Sequence, residues 1–294
     1  PPRSTLFPYT TLFRSCSSDI TDCLFDGNQD TANATYGGGA IYFDLSTGHL
    51  GLTSSVFSNN ASVGHGGAIT VYRGSMTATD CVFDSNDASG SATISGGAIY
   101  GYGDSVATEN IVILSSSFIS NTTSGFGGAF TFNSYFDSLT VTDTLFLSNT
   151  CVARGAAIDA LCETTVSDCV FNANTDTADS TYGGVIYFSA AGKTLTVERS
   201  EFYNGNITGP GGALHIYNGS VTVQDCRFEN NDSTASGGAI NLNGGASVDN
   251  AVILSSSFVS NTAGTSGGAL NAGSNALETD RKSTRLNSSH GKLS

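Results

Sequence analysis

The stretch NIVILSSSFISNTTSGFGGAF, Asn110 to Phe130, decides the fold, because its two signatures recur along the chain. The first is Phe118-x-x-Asn121, and the second, nine residues on, is Gly127-Gly128-Ala129 followed by a large apolar residue. Phe-x-x-Asn stands at Phe25/Asn28, Phe57/Asn60, Phe83/Asn86, Phe118/Asn121, Phe146/Asn149, Phe171/Asn174, Phe228/Asn231 and Phe258/Asn261. A ninth Phe, Phe202, has Gly205 where Asn is expected, with Asn206 one place late. Gly-Gly-Ala-aliphatic begins at Gly38, Gly66, Gly96, Gly127, Gly155, Gly183, Gly211, Gly237 and Gly267, with Ala156, Val185 and Phe130 as its mild departures. Successive starts lie 26 to 31 residues apart, a period that marks a solenoid, propeller or array.

The residues before each Phe show which of these it is. The fifth residue back is Ile20, Leu52, Ala78, Ile113, Val141, Val166, Val197, Val223 or Ile253, and apolar residues alternate there with a period of two, as in strands. The second residue back is always small and the third is usually Asp or Ser, which fits a corner. Gly-Gly-Ala opens another strand, with inward candidates Ile41 and Phe43, Ile69 and Val71, Ile186 and Phe188, and Leu214 and Ile216. No unit contains a helix-length amphipathic stretch, and a propeller blade needs about 40 residues. The expectation is an all-β chain: a right-handed parallel β-helix of about nine coils, each with about three short strands and three corners, stacked about 4.8 Å apart. Phe then forms an interior aromatic ladder, and each Asn can hydrogen-bond its counterpart in the next coil. Asn250 to Leu270 (NAVILSSSFVSNTAGTSGGAL) nearly repeats Asn110 to Phe130, and Asp168-Cys-Val-Phe matches Asp22-Cys-Leu-Phe, so a block of five coils is read as duplicated.

Charge separates the repeat from its flanks. All 25 acidic side chains lie between Asp19 and Asp280, with only Arg73, Arg154, Lys193, Arg199 and Arg227 opposing them, a balance of 5 − 25 = −20. A nucleic-acid partner is excluded on that balance, since phosphate binding needs a basic stripe. No run of about 18 apolar residues exists to cross a bilayer as a helix. Residues 1–15 and 281–294 lack the repeat, reverse the charge and read as non-native, adaptor-like or disordered tails around a repeat domain at 16–280. The repeat breaks off in mid-run, so the chain reads as a fragment whose uncapped coils favour self-association.

Alternating Phe-x-x-Asn and Gly-Gly-Ala-Ile resembles the repeat of the chlamydial polymorphic outer-membrane proteins over residues 19–275. That resemblance implies a pectin-lyase-like β-helical passenger outside the cell, acting in adhesion, usually ahead of an outer-membrane β-barrel. No barrel lies in this chain, so a membrane enters only through a missing anchor. The function expected is an adhesin-like cell-surface or secreted module whose variable corners bind a host surface, glycan or protein. An enzyme is not expected; the alternatives are a polysaccharide lyase or hydrolase on the same fold, or a purely structural surface protein.

No catalytic residue and no cofactor is expected. Cys23, Cys81, Cys169 and Cys226 take the small position before Phe and read as buried side chains rather than disulfides, because they never fall in neighbouring coils. Cys151 and Cys162 share one coil and can bridge across the Gly155 turn in an oxidising compartment. His65, in Gly-His-Gly, holds a freely varied corner position just before Gly-Gly. Asp22, Asp80, Asp143, Asp168 and Asp225 share one repeat position, and the adjacent pair Asp143 and Asp168 is a weak Ca²⁺ candidate beside the plainer reading of solvated corner aspartates. The Asn-x-Ser/Thr triplets at Asn33, Asn60, Asn121, Asn206, Asn218 and Asn231 are what such a composition generates by chance.

Overall fold

The computed structural model describes residues 11–13, 17–32, 37–90, 94–103, 109–177, 181–242 and 248–272. Among them every regular element is a strand, and the strands pair in parallel into three sheets that wall a β-solenoid. Of the segment set apart at the N-terminus, Thr11–Phe13 pairs with Ile41–Phe43. The C-terminal tail lies outside the described residues.

The Phe wall is the simplest. Nine three-residue strands, from Leu24–Asp26 to Ser257–Val259, stack in register with Phe on Phe. Ring centroids are 4.5–5.3 Å apart and the planes agree within 7°. The seven rings from Phe57 to Phe228 are fully buried, and Phe25 and Phe258 close the stack partly buried.

Each of these strands is so short because a residue in the left-handed region stops it at both ends. Before the strand stand Asp22, Ser54, Asp80, Ser115, Asp143, Asp168, Arg199, Asp225 and Ser255, with φ of 45–57°, and after it Gly27, Asn59, Ser85, Ser120, Ser148, Ala173, Asn204, Asn230 and Ser260, with φ of 52–68°. Asp, Asn and Ser dominate both rows, because a short polar side chain tolerates this backbone better than a bulky or branched one. The position read as a corner, Asp or Ser in all these coils but that of Arg199, is therefore left-handed throughout the row.

Immediately after the second corner comes Asn, and its amide explains the motif. Asn28, Asn60, Asn86, Asn121 and Asn149 each send the backbone N–H and the side-chain Nδ2 to the Oδ1 of the next coil's Asn, at 2.8–3.1 Å. In Asn60, Asn86, Asn121 and Asn149 the other Nδ2 hydrogen goes back to the preceding coil's Phe carbonyl, as from Asn121 to Phe83 at 2.9 Å. Asn60, Asn86, Asn121 and Asn149 are 0 % exposed, so water satisfies none of these groups.

The amide row is interrupted at Asn174, where the sequence has Gly205 in place of the next Asn. Asn174 is buried and receives both Asn149 donors on Oδ1, but the next coil, with Gly205 at this position, presents no amide oxygen to it. The Asn174 Nδ2 keeps the usual bond to the preceding coil's Phe carbonyl, Phe146, at 3.0 Å and turns its other hydrogen to the Asn172 carbonyl at 3.3 Å, while its own carbonyl accepts the Asn206 N–H at 3.2 Å. The row resumes beyond the gap: the Gly205 N–H reaches Asn231 Oδ1 at 3.0 Å, and Asn231 bonds Asn261. A Cβ at Gly205 would lie 2.2 Å from the Gly212 carbonyl oxygen, so this backbone has no room for a side chain there.

The other two walls correct the expected division of the coil. The strand after Gly-Gly-Ala and the strand before Phe belong to one 15-stranded sheet, the long wall, and in Ile41–Thr53, Ile69–Thr79, Ile186–Glu198 and Leu214–Gln224 they are a single strand. The third wall is a nine-stranded sheet of two-residue strands just after the ladder Asn, such as Thr122–Thr123 and Thr150–Cys151. Two residues are too short to show a period, so this wall left no pattern to read. All eight inward candidates, Ile41 to Ile216, are 0 % exposed. The long strands also carry the duplication: Ile186 follows Ile41, and Leu214 follows Ile69, by the same 145 residues (186 − 41; 214 − 69), and strand lengths of 13 and 11 recur with them.

Gly-Gly closes the turn onto the long wall. The first glycine of the pair has positive φ in most coils, 63° at Gly66 and 66° at Gly127. A Cβ on the second would come within 2.0–2.1 Å of the equivalent carbonyl oxygen one coil on, as for Gly67, Gly97 and Gly212. Ala156 breaks this rule beneath the coil in which the positive φ has moved to the second glycine, Gly184.

Replacing Asn121 by Ala removes the acceptor for both Asn86 donors and leaves the Phe83 carbonyl and Asn149 Oδ1 each one donor short. The expected loss of about 2–4 kcal/mol is to be read from the urea midpoint, and an unchanged midpoint would deny the amide row its role.

Candidate functional site: the outer row of the long wall

One row on the long wall points away from the aliphatic core. It is the residue after each Gly-Gly-Ala-aliphatic, and Tyr42, Thr70, Tyr100, Thr131, Asp159, Tyr187, His215, Asn241 and Asn271 pair along it in register. Strand alternation alone would leave this row in solvent. Yet Thr131, Asp159, Tyr187, His215 and Asn241 are all buried.

The cover comes from the residue just before Gly-Gly, five positions earlier in the chain. The His65 ring stacks on Tyr100 with centroids 4.0 Å apart, and its Nδ1 accepts the Ser95 N–H at 3.0 Å. Thr70 and Thr131 donate their hydroxyls to the His65 and Phe126 carbonyls at 3.0 and 2.9 Å. The position read as a free corner is thus a lid row, and burial holds the His65 imidazole below its ordinary pKa.

Under that lid, three coils assemble a polar group that no sequence motif announced. Arg154, in the lid row, donates Nε–H to Asp159 Oδ1 at 3.1 Å, and its guanidinium lies 4.3 Å from the Phe126 ring centre, 4.5 Å from that of Tyr187 and 5.6 Å from that of Tyr182. Asp159 is 0 % exposed and its Oδ2 has no partner; burial pushes its carboxyl pKa up, with Arg154 pulling the other way. His215, its ring edge-on to Tyr187 at 5.4 Å, accepts the Gly183 N–H on Nδ1 at 3.2 Å. Its proton therefore sits on Nε2, which is buried without an acceptor. Burial first, and the Arg154 charge second, press its pKa down to about 3. Tyr187 is likewise pushed up by burial. Acid, base and cation stand together here, within the fold rather than on its surface.

Nearer the N-terminus the same wall carries an open tyrosine series. Tyr42 and Tyr72 have ring centres 6.3 Å apart, Tyr72 and Tyr102 stack at 5.4 Å with planes within 8°, and Tyr135 meets Tyr102 edge-on at 5.9 Å. Arg73, bonded to Asp44 at 2.6 Å, lies 5.5 Å over Tyr72.

The residues singled out in the sequence fall elsewhere. Asp168 is held by Arg199 through two hydrogen bonds of 2.8 and 2.9 Å, which draw its pKa below the usual carboxylate value, and Asp143 accepts the Ser115 hydroxyl at 3.1 Å. Among the described residues no group of three or more His, Cys, Asp or Glu side chains could hold a metal ion. Cys81, Cys169 and Cys226 are buried, whereas Cys23, in the first coil of the stack, is exposed. Each of the four gives its backbone N–H to the Ser hydroxyl of the following coil at 3.1 Å, so thiol and hydroxyl coils are complementary. Cys151 and Cys162, for which a bridge was expected to be possible, are both free: Cys151 belongs to the two-residue wall and Cys162 to the bend between two strands of the long wall. Burial raises both thiols, Cys162 to about 12. Three of the glycosylation-type triplets start at ladder residues, Asn60, Asn121 and Asn231, which are fully buried; Asn206 is exposed, and Asn33 lies outside the described residues.

Known proteins add one finding to this geometry. The solenoid is of the class built from short parallel strands with repeated side-chain ladders. Within it, the Chlamydia polymorphic membrane protein (Chlamydia_PMP) repeat matches residues 22–44 and 54–71. Each match starts at a left-handed corner and runs through Phe-x-x-Asn to Gly-Gly-Ala-Ile, so the resemblance seen in the sequence is upheld on the residues that carry it. No curated protein and no solved structure matches the chain.

Two outcomes follow from the buried group. Arg154→Ala strands the Asp159 carboxyl without its counter-charge and is expected to lose about 3–5 kcal/mol in urea unfolding, most of it recovered in Arg154→Ala/Asp159→Val. For His215, the unfolded chain takes up a proton below the ordinary value of 6.5 and the folded chain only near 3, so stability falls as pH drops through that window. His215→Gln is expected to flatten this acid limb in a series of urea titrations, and an unaltered slope would assign the limb to other groups.

Proposed function

We propose that the chain is a surface-displayed or secreted binding rod, adhesin-like in its action, whose interior rows fix a scaffold while its outer rows and loops meet a partner. The observation that carries this reading is the contrast between rows. Phe, Asn and the inward aliphatics repeat from coil to coil, while the half-buried lid residues run His65, Phe126, Arg154, Tyr182, Pro210 and the residues flanking Phe on the outside of the Phe wall run from Leu24 and Asp26 to Ser257 and Val259 with little repetition. Variation on the outside of a regular solenoid whose interior rows repeat is the pattern of a recognition surface. The polymorphic membrane protein repeat at 22–44 and 54–71 supports a place at the cell surface, including an outer membrane. Among the described residues no helix is long and apolar enough to cross a membrane, which says nothing of a β-barrel.

A polysaccharide lyase or hydrolase is the second reading, favoured by the meeting of Arg154, Asp159 and His215. Against it stands their burial: Asp159 is 0 % and His215 1 % exposed. The deciding experiment applies the purified chain to cultured epithelial cells and to a polysaccharide panel. Saturable cell binding without new sugar ends is expected. New reducing or unsaturated ends would overturn the display reading in favour of catalysis, and binding that never saturates would leave a structural rod.

A further inference from the structure

We propose that the tyrosine series Tyr42, Tyr72, Tyr102 and Tyr135, with Arg73, is the docking surface of this rod, and that it takes a folded protein presenting a basic patch. The inference rests on the display reading and names its surface and its partner class.

Placement is the first argument. The solenoid interior uses Phe, whereas of the nine tyrosines among the described residues all but Tyr203 lie on the outer side of the long wall or in the loops that border it. A tyrosine facing outward offers an apolar ring and a hydroxyl, the combination enriched where proteins meet. Tyr102 and Tyr135 are 36 % and 46 % exposed and touch each other, so two of the largest exposed apolar side chains form one patch.

The second argument is rigidity. Tyr72 and Tyr102 are parallel within 8°, and Tyr72 is covered by Arg73, itself tied to Asp44. Rings held before contact lose little conformational freedom on binding, and Tyr with Arg is the composition of interface hot spots.

Ring orientation and charge then decide the partner. The faces of Tyr72 and Tyr102 are turned toward one another, and Tyr135 meets Tyr102 edge-on; a sugar ring needs an open aromatic face, whereas a protein's backbone and side chains can meet ring edges. Between Asp19 and Asp280 the balance is 5 − 25 = −20, and four of the five cations, Arg73, Arg154, Arg199 and Arg227, are already in ion pairs within the chain. The surplus of carboxylates selects a basic partner and repels an acidic one.

The test uses the fluorescently labelled full chain on cultured epithelial cells that are untreated, protease-shaved or glycosidase-treated. Binding to untreated cells is expected to saturate, to weaken with added salt, to vanish after shaving and to survive glycosidase. Tyr102→Ser/Tyr135→Ser is expected to weaken it about tenfold or more. Leu24→Ser, on the Phe wall, is expected to bind like the parent, with circular dichroism confirming that both variants fold. Parent-like binding by the tyrosine variant, or binding removed by glycosidase and spared by shaving, overturns the docking surface while leaving the display reading in place. An absence of saturable binding to untreated cells removes the display reading and the inference together.

Discussion

The rod depends on register. A parallel sheet of three-residue strands has few hydrogen bonds with which to choose its pairing, and a slip of one residue would turn every Phe outward. Two features prevent it. The left-handed residues at each end of the Phe strand give the slipped alternative the wrong backbone, and the Asn amides, buried and bonded on both sides, cannot be displaced without leaving unsatisfied donors. Stacked rings contribute about 0.5–1.5 kcal/mol per pair beyond their burial, while an orphaned buried amide costs about 1–3 kcal/mol per group. The rings thus supply attraction and the amides supply discrimination.

Where the rules of the repeat are broken, they are broken together. Phe130, Ala156, Val185, the shifted positive φ at Gly184 and the break in the amide row between Asn174 and Gly205 fall in four successive coils, and these coils also hold Arg154, Asp159, Tyr187 and His215. A buried ion pair with an unpartnered oxygen is not what a chain selected only for stability would keep. The local exceptions and the buried charges mark one region in which the scaffold yields to something other than its own regularity.

How much of this was legible depends on the range of the interaction. Phe, Asn and the inward aliphatics act on their own copies one coil away, so each wrote a periodic trace. Asn174 shows the limit of such a trace: its own motif is intact, and what it bonds is decided by the residue at its position one coil on. The third wall wrote none, since a strand such as Thr122–Thr123 cannot alternate. Strand alternation alone would put Asp159 and His215 in solvent; their burial is imposed by the lid residue across the Gly-Gly turn. A trace did exist in the pairing of bulky or charged residues five apart, Arg154 with Asp159 and Tyr182 with Tyr187, but it needs the turn geometry before it means contact. Cys23 was misread for a similar reason: its repeat position predicts burial, and only its place in the first coil exposes it.

The amide row also has a sense. Wherever one Asn follows another, the earlier gives two hydrogens forward and the later receives them on its oxygen, so an array that is still growing shows donors at its leading edge. A coil leaving the ribosome meets a finished surface asking for one oxygen at one place, and on binding it shows the same request to its successor. Winding is thereby a polymerisation with a direction, each turn serving as template for the next. At Asn174 the request goes unanswered and its amide turns back to the Asn172 carbonyl, and Gly205 passes the template on with a single N–H instead of two.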